Sequence, residues 1–198
     1  MNLPNKLTIS RIIMSLMVII VLLGSNYIFG FFGMTVPKLF VNESIVIDVK
    51  YLIAGVLFIL ASLTDFLDGH IARKYNMVTD FGKFADAIAD KILVNSTLII
   101  LAAQGFIHPI IPVVIIVRDS VVNSIRMIAA AKGKVVAASK AGKLKTAALM
   151  FGIALTLFYN MPFELFNIYV SRALLFVATI MSLISGVQYY QLNKHLLK

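Results

Sequence analysis

The chain has 198 residues, with no cysteine and no tryptophan. It is 60% hydrophobic and 14% charged, where an average soluble domain is about 25% charged. That composition indicates a membrane-embedded protein and excludes disulfides and cysteine metal sites. The net charge of +9 would suit either nucleic acid or an anionic membrane surface, and the position of the charges decides between them.

Met1 to Arg11 is short and basic, and the apolar run Ile12 to Phe32 follows. No small-x-small cleavage pattern closes the run and further apolar segments follow it, so it reads as a first spanning helix rather than a signal peptide. Phe31 to Lys50 mixes Gly, Pro, Asn, Glu and Asp with apolar residues and reads as a loop with an interfacial part. Five further apolar runs are Tyr51 to Leu63, Ile88 to Phe106, Ile110 to Ala131, Ala147 to Tyr159 and Tyr169 to Tyr190. The expected fold is therefore all-α, with six transmembrane helices preceded by a short N-terminal interfacial helix. No internal repeat or second domain is visible, so residues 1–198 read as a single membrane domain.

Six spans place both termini on one side. With that side cytoplasmic, Lys38, Lys50 and Arg172 are the only exceptions among 18 Lys and Arg residues, a strong positive-inside bias. The basic residues then face an anionic leaflet, which accounts for the net charge without nucleic acid.

Between Tyr51 and Ile110 the informative stretch is Asp65 to Asp90, TDFLDGHIARKYNMVTDFGKFADAIAD from Thr64, holding five of the nine acidic residues. Asp65 and Asp68 are three apart and Asp86 and Asp90 four apart, so each pair shares one face of a helix. Four converging carboxylates repel unless cations lie between them. Oxygen-only ligands select hard ions such as Mg²⁺ or Mn²⁺, and Mg²⁺ keeps room for substrate phosphates. Tyr51 to Thr64 is about 21 Å of helix at 1.5 Å per residue. The aspartates thus fall slightly inside the cytoplasmic boundary of a hydrocarbon layer of about 30 Å, where lipid phosphates and a cytosolic substrate can both reach them.

The positions Asp65, Asp68, Gly69, Ala72, Arg73, Gly82, Asp86 and Asp90 follow the spacing D-x-x-D-G-x-x-A-R, eight residues, G-x-x-x-D-x-x-x-D. This resembles the signature of the CDP-alcohol phosphotransferases, membrane enzymes that join a CDP-activated group to an alcohol and release CMP. The resemblance implies two divalent cations, Mg²⁺ or Mn²⁺, held by Asp65, Asp68, Asp86 and Asp90, with Asp90 as general base. It also implies that the CDP moiety packs where Gly69, Ala72, Arg73 and Gly82 leave space. The opening P-N-x-L-T-x-S-R, with Asn5, Thr8 and Arg11, resembles glycerophosphate-using members, in which this segment helps hold CDP-diacylglycerol. Family members are often homodimers.

In the fourth apolar run, VRDSVVNSIR puts Arg118, Asp119, Asn123 and Arg126 into an apolar helix, and such charges face a polar cavity or pair with each other. Two arginines on one side can clamp a phosphate. Lys143 and Lys145 follow in G-K-L-K-T. This combination resembles the branch that makes phosphatidylglycerophosphate, so Arg118, Arg126, Lys143 and Lys145 are the candidates for binding glycerol 3-phosphate. The expected reaction is transfer of the phosphatidyl group from CDP-diacylglycerol to glycerol 3-phosphate at the cytoplasmic face. Inositol phosphate, serine or phosphatidylglycerol as acceptor, and a cation carrier from another class, remain alternatives.

Overall fold

A computed structural model describes residues 2–41, 45–75, 79–134, 136 and 139–196; the side chains at 3, 4, 66, 68, 70, 72, 73, 80, 83 and 196 are not described. Helix α1, Leu3–Ile19, starts with a proline in its first turn, where a missing N–H costs nothing. It continues through a π-helical turn, Ile20–Gly24, into α2, Ser25–Phe31. The separate interfacial helix expected from the sequence is therefore corrected: Leu3 to Phe31 is one rod. No glycine or proline lies between Asn5 and Leu23 to interrupt a nucleated helix, so it propagates.

One stripe of this rod, Asn5, Thr8, Arg11, Ser15, Val18, Leu22 and Ser25, is buried. The spacing of three and four residues is that of a helix face. Its first half is polar and its second half mostly apolar, so α1 carries buried polar groups to only one end of the molecule.

Residues 32–50 hold a further correction. Strands β1, Lys38–Val41, and β2, Ile45–Asp48, pair antiparallel with Lys38 opposite Asp48. The segment read as a loop is in part a hairpin, and the chain is mostly rather than wholly helical. The β-branched Val41, Ile45, Val46 and Ile47 on either side of a polar segment favour this pairing. The hairpin end is tied down by Asp48 N, which donates to Tyr159 Oη at 3.2 Å. Tyr159 packs in turn with Tyr51 and Phe106, at ring-centroid distances of 5.5 and 5.4 Å.

Four long helices follow: α3 Val49–Lys74, α4 Asp80–Ala103, α5 Ile110–Ala131 and α6 Lys140–Leu157. The last, α7, is Val170–Asn193. Helix α1 packs on α3 and α4, and α7 on α5 and α6. The core between them is apolar, built from Val18, Leu22, Phe58, Leu98, Leu101, Ile115, Ile153 and Leu175 among others. Two further differences from the sequence reading matter for the site. Helix α3 extends past its apolar run to carry the whole D-x-x-D-G-x-x-A-R segment, and α6 begins at Lys140, taking the lysines into its first turns.

Outward faces are apolar as well: Val113, Val117 and Val121, each four apart on α5, are exposed, as are Leu183 and Val187 on α7. Among the described residues two helical stretches are long and apolar enough to cross a membrane by length and composition. They are Asn5–Phe31, with mean hydropathy 2.4, and Val170–Asn193, with mean hydropathy 1.8.

Candidate active site

Two polar clusters lie at the end of the bundle where α1 begins. The first is built on Arg11, whose side chain is 1% exposed. Its Nη1 lies 2.5 Å from Asp65 Oδ1 on α3 and 2.8 Å from Asp86 Oδ1 on α4. One nitrogen thus gathers carboxylates from both halves of the acidic segment. The carboxylates stay accessible, at 40% for Asp65 and 51% for Asp86, and Asp90, one turn beyond Asp86, is exposed. The i, i+4 spacing on α4 puts Asp86 and Asp90 on the same face.

Next to this pair, Asn5 and Gly82 explain each other. Thr79 caps α4 by accepting a hydrogen bond from Gly82 N at 3.0 Å, and its hydroxyl donates to Asn5 Oδ1 at 3.0 Å. A Cβ on Gly82 would sit 2.8 Å from Asn5 Oδ1 and 3.0 Å from Thr79 Oγ1. The glycine therefore lets the start of α1 dock on the start of α4. Thr8 is buried between Asn5 and Arg11 on the same stripe. Gly69 lies within α3 as expected; the side chains of Asp68, Ala72 and Arg73 lie outside the described ones.

The donors here are carboxylate oxygens, the type a hard divalent cation takes. Asp65 and Asp86 direct carboxylate oxygens from two helices onto one cationic atom, and Asp90 adds a third carboxylate one turn along α4; all are oxygen donors. Among the described residues no three such side chains are already grouped closely enough to hold a metal ion.

The second cluster joins α5, α6 and α7. Arg118 Nη1 pairs with Asp119 Oδ1 at 2.8 Å, and Arg118 Nη2 donates to Ser185 Oγ at 2.7 Å. Lys145 Nζ lies 3.1 and 3.0 Å from the two Asp119 oxygens. Arg126 Nη2 donates to Tyr189 Oη at 2.7 Å. Lys145 is buried, whereas Lys143, two residues away and about 200° around the helix, is exposed. The two lysines named together from sequence thus stand in different surroundings. Ser185 and Tyr189 did not emerge from sequence at all. Their signal was there: Ser182, Ser185, Tyr189 and Asn193 recur at three or four residues through an apolar helix, and all four are buried.

Asp90 lies one turn along α4 from Asp86, and Lys145, Arg11, Asp86 and Asp119 are the charged groups whose fields act on it.

An acidic pair from two helices beside a basic, arginine-lined cluster matches an enzyme that handles phosphorylated substrates. The profile of the CDP-alcohol phosphatidyltransferase family matches residues 1–184. The chain is similar to the CDP-diacylglycerol–glycerol-3-phosphate 3-phosphatidyltransferase of Bacillus subtilis, at 40% identity over 197 residues covering 100% of this chain and 97% of that protein. The protein of the same name from Mycoplasma pneumoniae is 40% identical over 79% of this chain and 68% of its own length. That of Rickettsia felis is 34% identical over 98% and 96%. The chain belongs to the CDP-alcohol phosphatidyltransferase family. It is a transferase of phospholipid biosynthesis that uses CDP-diacylglycerol.

Proposed function

We propose that the protein transfers the phosphatidyl group of CDP-diacylglycerol to glycerol 3-phosphate, giving phosphatidylglycerophosphate and CMP. The names of the relatives support the reaction. The observation that carries the assignment of residues is that Arg11 gathers Asp65 and Asp86 at one site while Arg118 and Lys145 pair with Asp119 at another.

In this reading Asp65, Asp68, Asp86 and Asp90 hold two divalent cations, Mg²⁺ or Mn²⁺. Such ions neutralise the pyrophosphate and the charge that develops on the departing CMP. Asn5, Thr8 and Arg11 line the side of the site formed by α1, where CDP-diacylglycerol lies, and Gly69, Ala72, Arg73 and Gly82 leave room for its nucleotide. Arg118, Arg126 and Lys145 bind the acceptor's phosphate, with Lys143 drawing the anion in from solvent. Asp90 takes the proton of the acceptor hydroxyl as its oxygen forms a bond to the lipid-side phosphorus. The bond from that phosphorus to the CMP phosphate oxygen breaks, and CMP leaves with the electron pair.

The chain acts as one membrane domain, with α1 through α7 forming six spans once α1 and α2 are taken together. The apolar outward faces of α5 and α7 and the two long apolar helices support this. The bias of Lys and Arg toward one set of loops supports a cytoplasmic position for both termini and the site. A homodimer is the expected assembly by family resemblance.

The test is CMP release from CDP-diacylglycerol with Mg²⁺ and, in parallel, glycerol 3-phosphate, inositol 1-phosphate, serine and phosphatidylglycerol. CMP with glycerol 3-phosphate alone, abolished in Asp90→Asn, is the expected result. Release with another acceptor instead overturns the acceptor assignment, and unchanged turnover in Asp90→Asn removes that residue from the mechanism.

A further inference from the structure

Tyr189, near the C-terminal end of α7, is 3% exposed and belongs to no motif named above. It is nevertheless the one residue that meets both arginines of α5 in the described contacts. Arg126 Nη2 donates to its hydroxyl at 2.7 Å, and the Arg126 guanidinium carbon stands 5.3 Å from its ring centroid. The Arg118 guanidinium carbon stands 5.5 Å from the same ring. Arg118 approaches across α7 with its stem against Gly186, where a Cβ would lie 3.1 Å from Arg118 Cγ, and its Nη2 reaches Ser185 Oγ at 2.7 Å. Ser185 and Tyr189, four apart, share one helix face, with Gly186 beside it and three before Tyr189. That face receives the two arginines, while Asp119 and Lys145 balance charge on the other side of Arg118.

An aromatic ring near two guanidinium groups attracts both by cation–π interaction without itself neutralising either. A carboxylate in the same place would satisfy the arginines and leave less positive charge for a ligand. A hydroxyl acceptor holds the exposed Arg126 side chain in one direction at little electrostatic cost.

From this geometry we infer that Tyr189 is a positioning residue for the acceptor phosphate, setting Arg126 through its hydroxyl and Arg118 through its ring. The inference rests on the reading of these arginines as the glycerol 3-phosphate pocket. It adds a residue from α7, outside the acidic signature and outside the arginine and lysine motifs.

The experiment measures KM for both substrates and kcat in Tyr189→Phe, Arg126→Gln and the double variant, with the melting temperature of each in detergent as a check of folding. Loss of a hydrogen bond to a charged group corresponds to about a tenfold effect. Tyr189→Phe is expected to raise KM for glycerol 3-phosphate about tenfold, with KM for CDP-diacylglycerol within about twofold and kcat changing less than KM. In the Arg126→Gln background the same change should add less than about twofold, because the partner of the hydroxyl is gone. Equal increases in both KM values, additive effects in the double variant, or no change in the acceptor KM each overturn the inference. Should Tyr189→Phe not fold, Tyr189→Trp, which keeps a ring but replaces the accepting hydroxyl with an N–H that only donates, is read by the same criteria. An unchanged acceptor KM in Arg126→Gln itself would overturn the parent reading of the arginine pocket, a result separable from failure of Tyr189 alone.

Discussion

Arg11 and Asp86 are 75 residues apart in sequence and 2.8 Å apart in space, and the same guanidinium nitrogen also contacts Asp65. A buried arginine therefore bridges the two helices of the acidic segment. Its removal leaves two carboxylates facing each other. Arg11→Ala should lower stability by about 1–2 kcal/mol, a value reduced from that of a fully buried pair because both carboxylates are half exposed. The loss should be larger in EDTA than in excess Mg²⁺, since a bound cation supplies the missing charge. Melting temperatures in the two buffers measure this, and an equal loss in both would show that cations do not bind between these residues.

Gly82 and Asn5 allow a test by suppression. Gly82→Ala places a methyl 2.8 Å from Asn5 Oδ1, and overpacking of this kind costs about 1–3 kcal/mol. Shortening the opposing side chain with Asn5→Ala should recover part of the melting temperature in the double variant. Recovery of stability without recovery of CMP release is the expected pattern, because Asn5 also lies on the substrate side of α1. A double variant no more stable than Gly82→Ala would refute the docking of α1 on α4 through this contact.

The two lysines of α6 should behave differently. Lys145→Met removes the cation that holds both oxygens of Asp119, and is expected to cost about 1–3 kcal/mol and to raise KM for glycerol 3-phosphate. Lys143→Ala should change stability by no more than about 0.5 kcal/mol. Its effect on KM should fade as ionic strength rises, because an exposed charge is screened. Denaturation in detergent and kinetics at low and high salt distinguish these cases.

At the opposite end of the bundle, Tyr159→Phe removes the acceptor of the Asp48 N–H. One such bond is worth about 1 kcal/mol. The variant should melt earlier while keeping its KM values for both substrates, since the described contacts of Tyr159 are with Asp48, Tyr51 and Phe106, away from the candidate site. A changed acceptor KM would mean that the hairpin and the site are coupled.

The acidic residues were legible because helical spacing alone puts Asp65 with Asp68 and Asp86 with Asp90. That Arg11 joins the two pairs was not legible, since a contact across 75 residues depends on how α1 packs between α3 and α4. The polar side of α5 was also readable at 100° per residue, and Arg118 and Arg126 do meet one partner, Tyr189. That partner was missed because α7 is apolar on average, and averaging hides a stripe of four polar residues. The difference between Lys143 and Lys145 follows from their angle on α6, but which of them faces α5 is a property of the packed bundle. The hairpin at Lys38–Asp48 escaped because its strands are four residues each and sit among loop-forming Gly, Pro and Asn.

The most direct measurement of the central claim is incorporation of labelled glycerol 3-phosphate into lipid by the purified protein supplied with CDP-diacylglycerol and Mg²⁺, with CMP quantified in the same tube. Label should enter the organic phase in a one-to-one ratio with CMP and fall sharply in Arg126→Gln. CMP formed without label in lipid, or equal incorporation in that variant, would contradict the account.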